Sequence, residues 1–259
     1  MAMALEGQAV VLDGQVISYV RVGQGNCNLL LSPGILGSWR TDFKTTLQTL
    51  DCRKFTVIAW DPPGNGGSQP PNREFNNDTN KSDAIMANKL MEVLELTPYS
   101  ILGWSEGGRI ALHAAVLFPE NVTKLVIWGT PVEMDKEYYS LITATKDLTS
   151  LPQQLATDVI AMYGKLKFLK IWEGFVEHCE SLFKDHDGSF CREIVSSVQQ
   201  PTLILYGDQD FLGGGIAQAQ ATAKRMPNAR LALRMLGSHD LHNDHKWFNP
   251  TVERFLLSN

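Results

Sequence analysis

Several short runs in this 259-residue chain are apolar at almost every position, and a β-strand of that kind must be buried on both faces. Asn28–Ser32, centred on Leu29-Leu30-Leu31, and Phe55–Trp60 are the clearest. Each ends in a turn rich in Gly and Pro, Ser32-Pro33-Gly34-Ile35-Leu36-Gly37 and Asp61-Pro62-Pro63-Gly64-Asn65-Gly66-Gly67-Ser68. Between them Phe43, Leu47 and Leu50 recur at helical spacing. A helix over Asp78–Leu96, a strand over Tyr99–Gly103, a helix over Glu106–Phe118 and a strand over Lys124–Trp128 continue the rhythm. It resumes with a strand over Thr202–Tyr206, a helix over Ile216–Met226, a strand over Arg230–Leu236 and a last helix over His245–Leu257. Val10–Leu12 and Val16–Val22 flank Asp13-Gly14, a two-residue hairpin signal, so the chain opens antiparallel. Strands and helices in alternation predict an α/β fold with a doubly wound sheet, whose sites lie at the carboxyl ends of the strands. From Pro131 to Ser196 strand-like runs stop and aromatic amphipathic segments such as Met162–Phe175 replace them. The expected division is a core formed by 1–130 and 197–259, and a helical lid over 131–196.

Charge removes several function classes. Lys and Arg number 23 against 28 Asp and Glu, a formal charge of −5, so no basic footprint marks a nucleic acid or an anionic membrane as a partner. No apolar run approaches the roughly 18–20 residues that span a bilayer. Met1–Gln8 has neither a basic nor an apolar leader region, so a cytoplasmic location is expected, or a mitochondrial one if a presequence precedes residue 1. Cys27, Cys52, Cys179 and Cys191 form no C-x-x-C pair and read as reduced thiols. No cofactor is expected, because no phosphate-binding G-x-G-x-x-G follows the first strands, and spacing among the six histidines marks no metal site. The expected partner is a small-molecule ester, acted on by a monomer.

Gly103-Trp104-Ser105-Glu106-Gly107, with Gly108 behind it, is a G-x-S-x-G motif set between a predicted strand and a predicted helix. A serine hydroxyl is a poor nucleophile until a base takes its proton and a third group orients that base. In this architecture the acid and the histidine follow in that order, each after a later strand. Gly207-Asp208-Gln209-Asp210 and Gly237-Ser238-His239-Asp240 stand at those places. The expected triad is Ser105 as nucleophile, His239 as general base and acid, and Asp210 as the carboxylate that fixes the imidazole. Asp208 is the competing acid, with a turn-capping role preferred for it. His242 and His245 are expected to be solvated or capping at the last helix, and His113 to be packed or at the surface. His178 and His186 fall in the insertion. The developing oxyanion needs donors, expected from the backbone N–H of Glu106 and of Ile35, with Leu36 as the near alternative.

These motifs resemble the α/β-hydrolase fold family over essentially the whole chain. Leu31 to Ser38, with Pro33-Gly34 where His-Gly is usual, carry the resemblance together with Trp60 to Pro71, Leu102 to Gly108, Val126 to Gly129, Gly207 to Asp210 and Gly237 to His242. It implies a mostly parallel eight-stranded sheet with helices on both faces and a helical lid. It further implies a serine hydrolase of α-amino-acid esters or of activated acyl compounds such as thiolactones, with the acidic residue after the nucleophile holding the substrate ammonium. Here that residue is Glu106, and a second reading is that a carboxylate at a helix N-terminus simply complements the helix dipole. Trp104 is expected beside the substrate, and Trp39, Phe168, Trp172 and Phe175 suggest an apolar pocket. Gly213-Gly214-Gly215 departs from the family pattern and is expected to loosen the loop that holds the acid; Pro63 stands where Arg is common. The alternatives are a carbon–carbon bond hydrolase, a general carboxylesterase, or a non-catalytic binder on the same fold.

Overall fold

The computed structural model describes residues 5–147, 151 and 153–258; positions 1–4 and 259, and positions 148–150 and 152 of the insertion, lie outside the described residues. Strands β1 (Gly7–Leu12) and β2 (Gln15–Val22) form the hairpin, turning at Asp13-Gly14. β3 (Cys27–Ser32), β4 (Phe55–Trp60), β5 (Tyr99–Trp104), β6 (Val122–Trp128), β7 (Thr202–Gly207) and β8 (Ala229–Arg234) complete one eight-stranded sheet. Its order is β1-β2-β4-β3-β5-β6-β7-β8, with the β1–β2 and β2–β4 pairs antiparallel and the remaining pairs parallel. From β3 the chain winds outward to β4 and then crosses back to β5. The order therefore reverses between β3 and β5, and a crevice opens at their carboxyl ends.

Because side chains alternate across a strand, the apolar runs feed two cores at once. Leu30, Ile101, Ile127 and Ile204 pack under helices α3 (Thr79–Val93) and α4 (Glu106–Leu117), against Ala87, Met91, Ile110 and Ala114. Leu29, Leu31, Leu102, Val126 and Leu205 meet Phe43 and α2 (Lys44–Thr49) on the other face, with α9 (His245–Leu257) adding Phe248, Val252 and Leu256. The helical spacing of Phe43, Leu47 and Leu50 belongs to two short pieces. α1 (Trp39–Asp42) is capped by Ser38, whose side chain accepts the Arg40 and Thr41 N–H groups, and α2 follows directly. α8 (Gly215–Arg225) lies between β7 and β8.

Between β6 and β7 the chain leaves the sheet for α5 (Lys136–Ala144), α6 (Gln153–Tyr163) and α7 (Lys165–Asp185). These helices close around a third apolar cluster that includes Ile142, Val159, Phe168, Trp172 and Phe175. Leu36, from the loop after β3, is a buried member of this cluster.

The sheet registers Ser32 against Gly103, which sets the loop after β3 beside the turn after β5. The fit leaves no room for a side chain at Gly107, where a Cβ would fall on the Ser32 carbonyl. Gly107→Ala must push backbone apart, and a loss of about 1–3 kcal/mol of stability is expected. Urea unfolding of the purified variant measures it.

Candidate active site

Three strand ends supply the residues of the site. Ser105 follows β5 directly, with φ 53 and ψ −114. For a residue with a Cβ this conformation costs on the order of 1–3 kcal/mol. The turn is held by Ser105 N–H donating to the Trp128 carbonyl at 2.9 Å and Gly108 N–H donating to the Ser105 carbonyl at 3.1 Å. Serine at the start of a helix usually spends its hydroxyl as a cap. Here the side chain makes no capping bond, and Ser105 lines a cavity of about 600 Å³ instead.

His239, after β8, lines the same cavity. Its Nδ1 lies 2.9 Å from Asp210 Oδ1, after β7. Asp210 Oδ1 also accepts the N–H groups of Leu212 at 3.0 Å and Gly213 at 2.8 Å. Tyr206 Oη donates to the Asp210 carbonyl and accepts Gly215 N–H, both at 2.7 Å. The glycine run thus grips the acid rather than loosening it. A Cβ on Gly213 would come 2.5 Å from Asp210 Oδ2, so the turn can wrap the carboxylate only without a side chain there. Asp208 does not compete: it shares no bond with His239, and its Oδ1 is buried without a hydrogen-bond partner.

The Gly34–Gly37 turn borders the cavity on the other side. Gly34 N–H is taken by Asp42 Oδ2 at 3.0 Å, and Gly37 N–H by the Gly34 carbonyl at 3.0 Å. The N–H groups of Ile35 and Leu36 remain without an acceptor among the described residues. At the N-terminus of α4, the first N–H groups lack intrahelical partners, as in every helix. Glu106 occupies the first of these positions.

The Glu106 side chain is a correction. Its carboxylate is buried and points into an ionic cluster, 3.3 Å from Arg73 and 3.9 Å from Arg109, and Asn80 donates to it at 3.1 Å. Arg73 is in turn 2.7 Å from Asp83. Burial pushes the Glu106 carboxyl up, but Arg73, Arg109 and Asn80 outweigh it and hold the group below its ordinary value. The Glu106 carboxylate is thus turned into this cluster and not into the cavity, so it is not placed to meet a substrate ammonium there. Pro63 belongs to the same network through its carbonyl, which accepts from Arg73 at 3.1 Å.

Trp104 lines the cavity and braces the histidine loop, with Nε1 donating to the His239 carbonyl at 2.9 Å. Trp172 and Phe175 also line the cavity, whereas Phe168 and Trp39 are buried in cores. His242 is a second correction: it is buried, not solvated, and accepts Trp128 Nε1–H at 3.1 Å. Burial pushes it down to about 4, so it serves as a neutral acceptor packed 4.7 Å from the Trp104 ring. His113 is half-buried in α4, and burial pushes it down to about 4. His178 lies half-buried on α7, and His186 pairs with Asn77 at 3.1 Å, away from the cavity.

Two cavity carboxylates carry no motif in the sequence. Asp42 ends the four-residue α1 and Asp158 stands on α6. Burial pushes Asp42 up to about 7, against hydrogen bonds from Thr41, at 2.6 Å, and from Gly34. Helical periodicity could not mark Asp42, because α1 is barely one turn long.

With this geometry in view, the comparisons with known proteins agree. The family described as alpha/beta hydrolase fold matches residues 28–182, and the chain belongs to that family as a serine hydrolase. It is 36% identical over 254 residues to Serine hydrolase BPHL of Mus musculus, covering 98% of this chain and 87% of that protein. Over 248 residues it is 36% identical to Serine hydrolase BPHL of Homo sapiens, covering 95% and 85%. Among solved structures, a mutant of the meta-cleavage product hydrolase CumD superposes with a TM-score of 0.72 at 20% identity, over 96% of this chain and 97% of that one.

Asp210→Asn is expected to lower ester turnover by about 10³–10⁴-fold, the size of effect that follows loss of the histidine-orienting carboxylate. Asp208→Asn should leave turnover within about threefold, and steady-state kinetics on a chromogenic ester separates the two. Asp42 holds its proton in the folded state at pH values where an unfolded aspartate has lost it. Its contribution to stability is therefore complete below about pH 4 and is lost as pH rises through 7. The urea midpoint of the parent should fall over that window, and Asp42→Asn should flatten the fall.

Proposed function

We propose that the protein hydrolyses carboxylic esters, with α-amino-acid esters or thiolactones as the preferred class, through an acyl-enzyme on Ser105. The observation that carries this reading is the 2.9 Å bond between His239 Nδ1 and Asp210 Oδ1 behind a cavity lined by Ser105 and His239. With Nδ1–H donated to Asp210, His239 Nε2 is left as the base. It takes the Ser105 Oγ proton as Oγ bonds to the substrate carbonyl carbon, and the carbonyl electron pair moves onto oxygen. That oxyanion meets the N–H of Glu106 and an N–H of the Ile35–Leu36 turn. The tetrahedral centre collapses, the bond to the leaving oxygen or sulfur breaks, and that atom takes the proton from Nε2. Water then attacks the acyl group, gives its proton to Nε2, and the same route returns Ser105 Oγ–H.

A preference for an amine is supported by the charge of the cavity. Asp158 and Asp240 contribute carboxylates to its wall, Asp42 adds a carboxyl in which burial favours the proton, and among its described lining residues there is neither Lys nor Arg. Tyr138, Leu141, Met162, Trp172 and Phe175 provide apolar surface for the remainder of the ligand. An anionic substrate would be repelled by the same wall, which disfavours a carboxylate-bearing product of ring cleavage.

Kinetics on aminoacyl esters paired with their des-amino analogues tests the whole reading. Ser105→Ala should lose at least about a thousandfold in kcat while remaining folded. Asp158→Asn should narrow the preference for the amine-bearing member of each pair. Folded Ser105→Ala with parental turnover would overturn the acyl-enzyme, and equal rates on both members of every pair would reduce the protein to a general carboxylesterase.

A further inference from the structure

The turn that carries one side of the oxyanion hole is anchored at three points. Asp42 Oδ2 accepts Gly34 N–H at 3.0 Å, and Asn65 Nδ2 donates to the Gly37 carbonyl at 3.1 Å. The third anchor is Tyr163 Oη, which donates to the Leu36 carbonyl at 3.0 Å. The first two belong to the core, but Tyr163 is the last residue of α6, in the lid. The same hydroxyl accepts Gly66 N–H at 3.2 Å, so one oxygen ties the lid to the loops after β3 and after β4. Tyr163 is buried, which pushes its phenol up, and it stays a donor throughout the working range.

The grip falls on the strained residue of the turn. Leu36 has φ 54, a left-handed conformation that a leucine keeps only where its surroundings over-determine it. Its side chain is fixed in the lid cluster beside Val159, Phe168 and Trp172, and its carbonyl is fixed by Tyr163. Relaxing φ at Leu36 would rotate the Ile35–Leu36 peptide, whose N–H is one of the two donors of this cavity-lining turn without an acceptor among the described residues. Val159 and Met162, on the same helix as Tyr163, line that cavity, so a bound acyl group presses on the element that holds the turn.

We propose that Tyr163 is a positioning residue for the oxyanion hole, which makes the aim of the Ile35–Leu36 donors conditional on a docked lid. The inference rests on the acyl-enzyme reading above. Substrate that fills the space under α6 would thereby complete the hole, and a short acyl group that leaves α6 untouched would be turned over more slowly than its intrinsic reactivity predicts.

Tyr163→Phe removes the hydroxyl and keeps the ring. Its kcat on a good ester should fall about 10–100-fold, less than the full loss of a donor, with KM held within about threefold. The distinguishing measurement is the rate ratio between an ester and its thionoester, in which sulfur replaces the carbonyl oxygen and fits the N–H donors poorly. Misaimed donors lose their preference for oxygen, so this ratio should contract in Tyr163→Phe, whereas a purely structural defect would slow both substrates alike. Thermal unfolding checks that the variant is folded, and titration of active sites with a fluorophosphonate restricts the rates to competent molecules. A parental protein that a fluorophosphonate does not label would overturn the serine reading itself. A labelled parent whose ester-to-thionoester ratio is unchanged in Tyr163→Phe would overturn the role of Tyr163 alone.

Discussion

Ser105 occupies a left-handed backbone conformation that only a tightly enclosed turn can hold, and much of the surrounding structure is arranged to enclose it. Gly103 and Gly107 let β5 and α4 approach closely, and Gly107 lies against the Ser32 carbonyl. That contact, with the register of Ser32 on Gly103, brings the loop after β3 next to Ser105. The serine hydroxyl is kept from the capping role it would have in an ordinary helix start, and the helix begins with its N–H groups available. One strained residue thus sets the Ser105 side chain, the start of α4 and the loop after β3 side by side.

The charges around this turn are divided between two sides. Behind α4, Glu106 is neutralised by Arg73 and Arg109 in a buried cluster that also contains Asp83. A buried carboxylate with two guanidinium groups beside it is not available to a ligand, whatever its place in the sequence. On the cavity side, Asp42, Asp158 and Asp240 line the wall together with apolar residues of α5, α6 and α7. Acidic side chains and apolar surface therefore line one cavity, and the carboxylate next to Ser105 in sequence is not among them.

Much of the fold is legible in the sequence because apolar runs and Gly-Pro turns are local signals. The hairpin at Asp13-Gly14, the buried strands Leu29–Leu31 and Phe55–Trp60, and the G-x-S-x-G turn all follow from the character of neighbouring residues. The pairing of Asp210 with His239 could be anticipated as well, since each stands in the loop that follows a strand, β7 and β8, and only their contact is non-local. His242 was not, for a solvated histidine at a helix start and one buried under Trp104 and Trp128 look the same in one dimension. The glycines after Asp210 misled for a related reason: glycine allows either slack or close approach, and here Gly213 takes the second role.

Taken alone, the amino-acid order determined the strands, the helices, the strained serine turn and the placing of Ser105, Asp210 and His239 in loops after three strand ends, because each depends on short-range pattern. Tertiary structure decided where side chains point and which distant groups they meet. It turned Glu106 away from the cavity toward Arg73, brought Asp158 from the lid to the same wall as Asp42, and set Tyr163 on the Leu36 carbonyl 127 residues away. Those pairings depend on how helices dock on a sheet, and helix docking is fixed by packing over the whole molecule rather than by the residues that happen to meet.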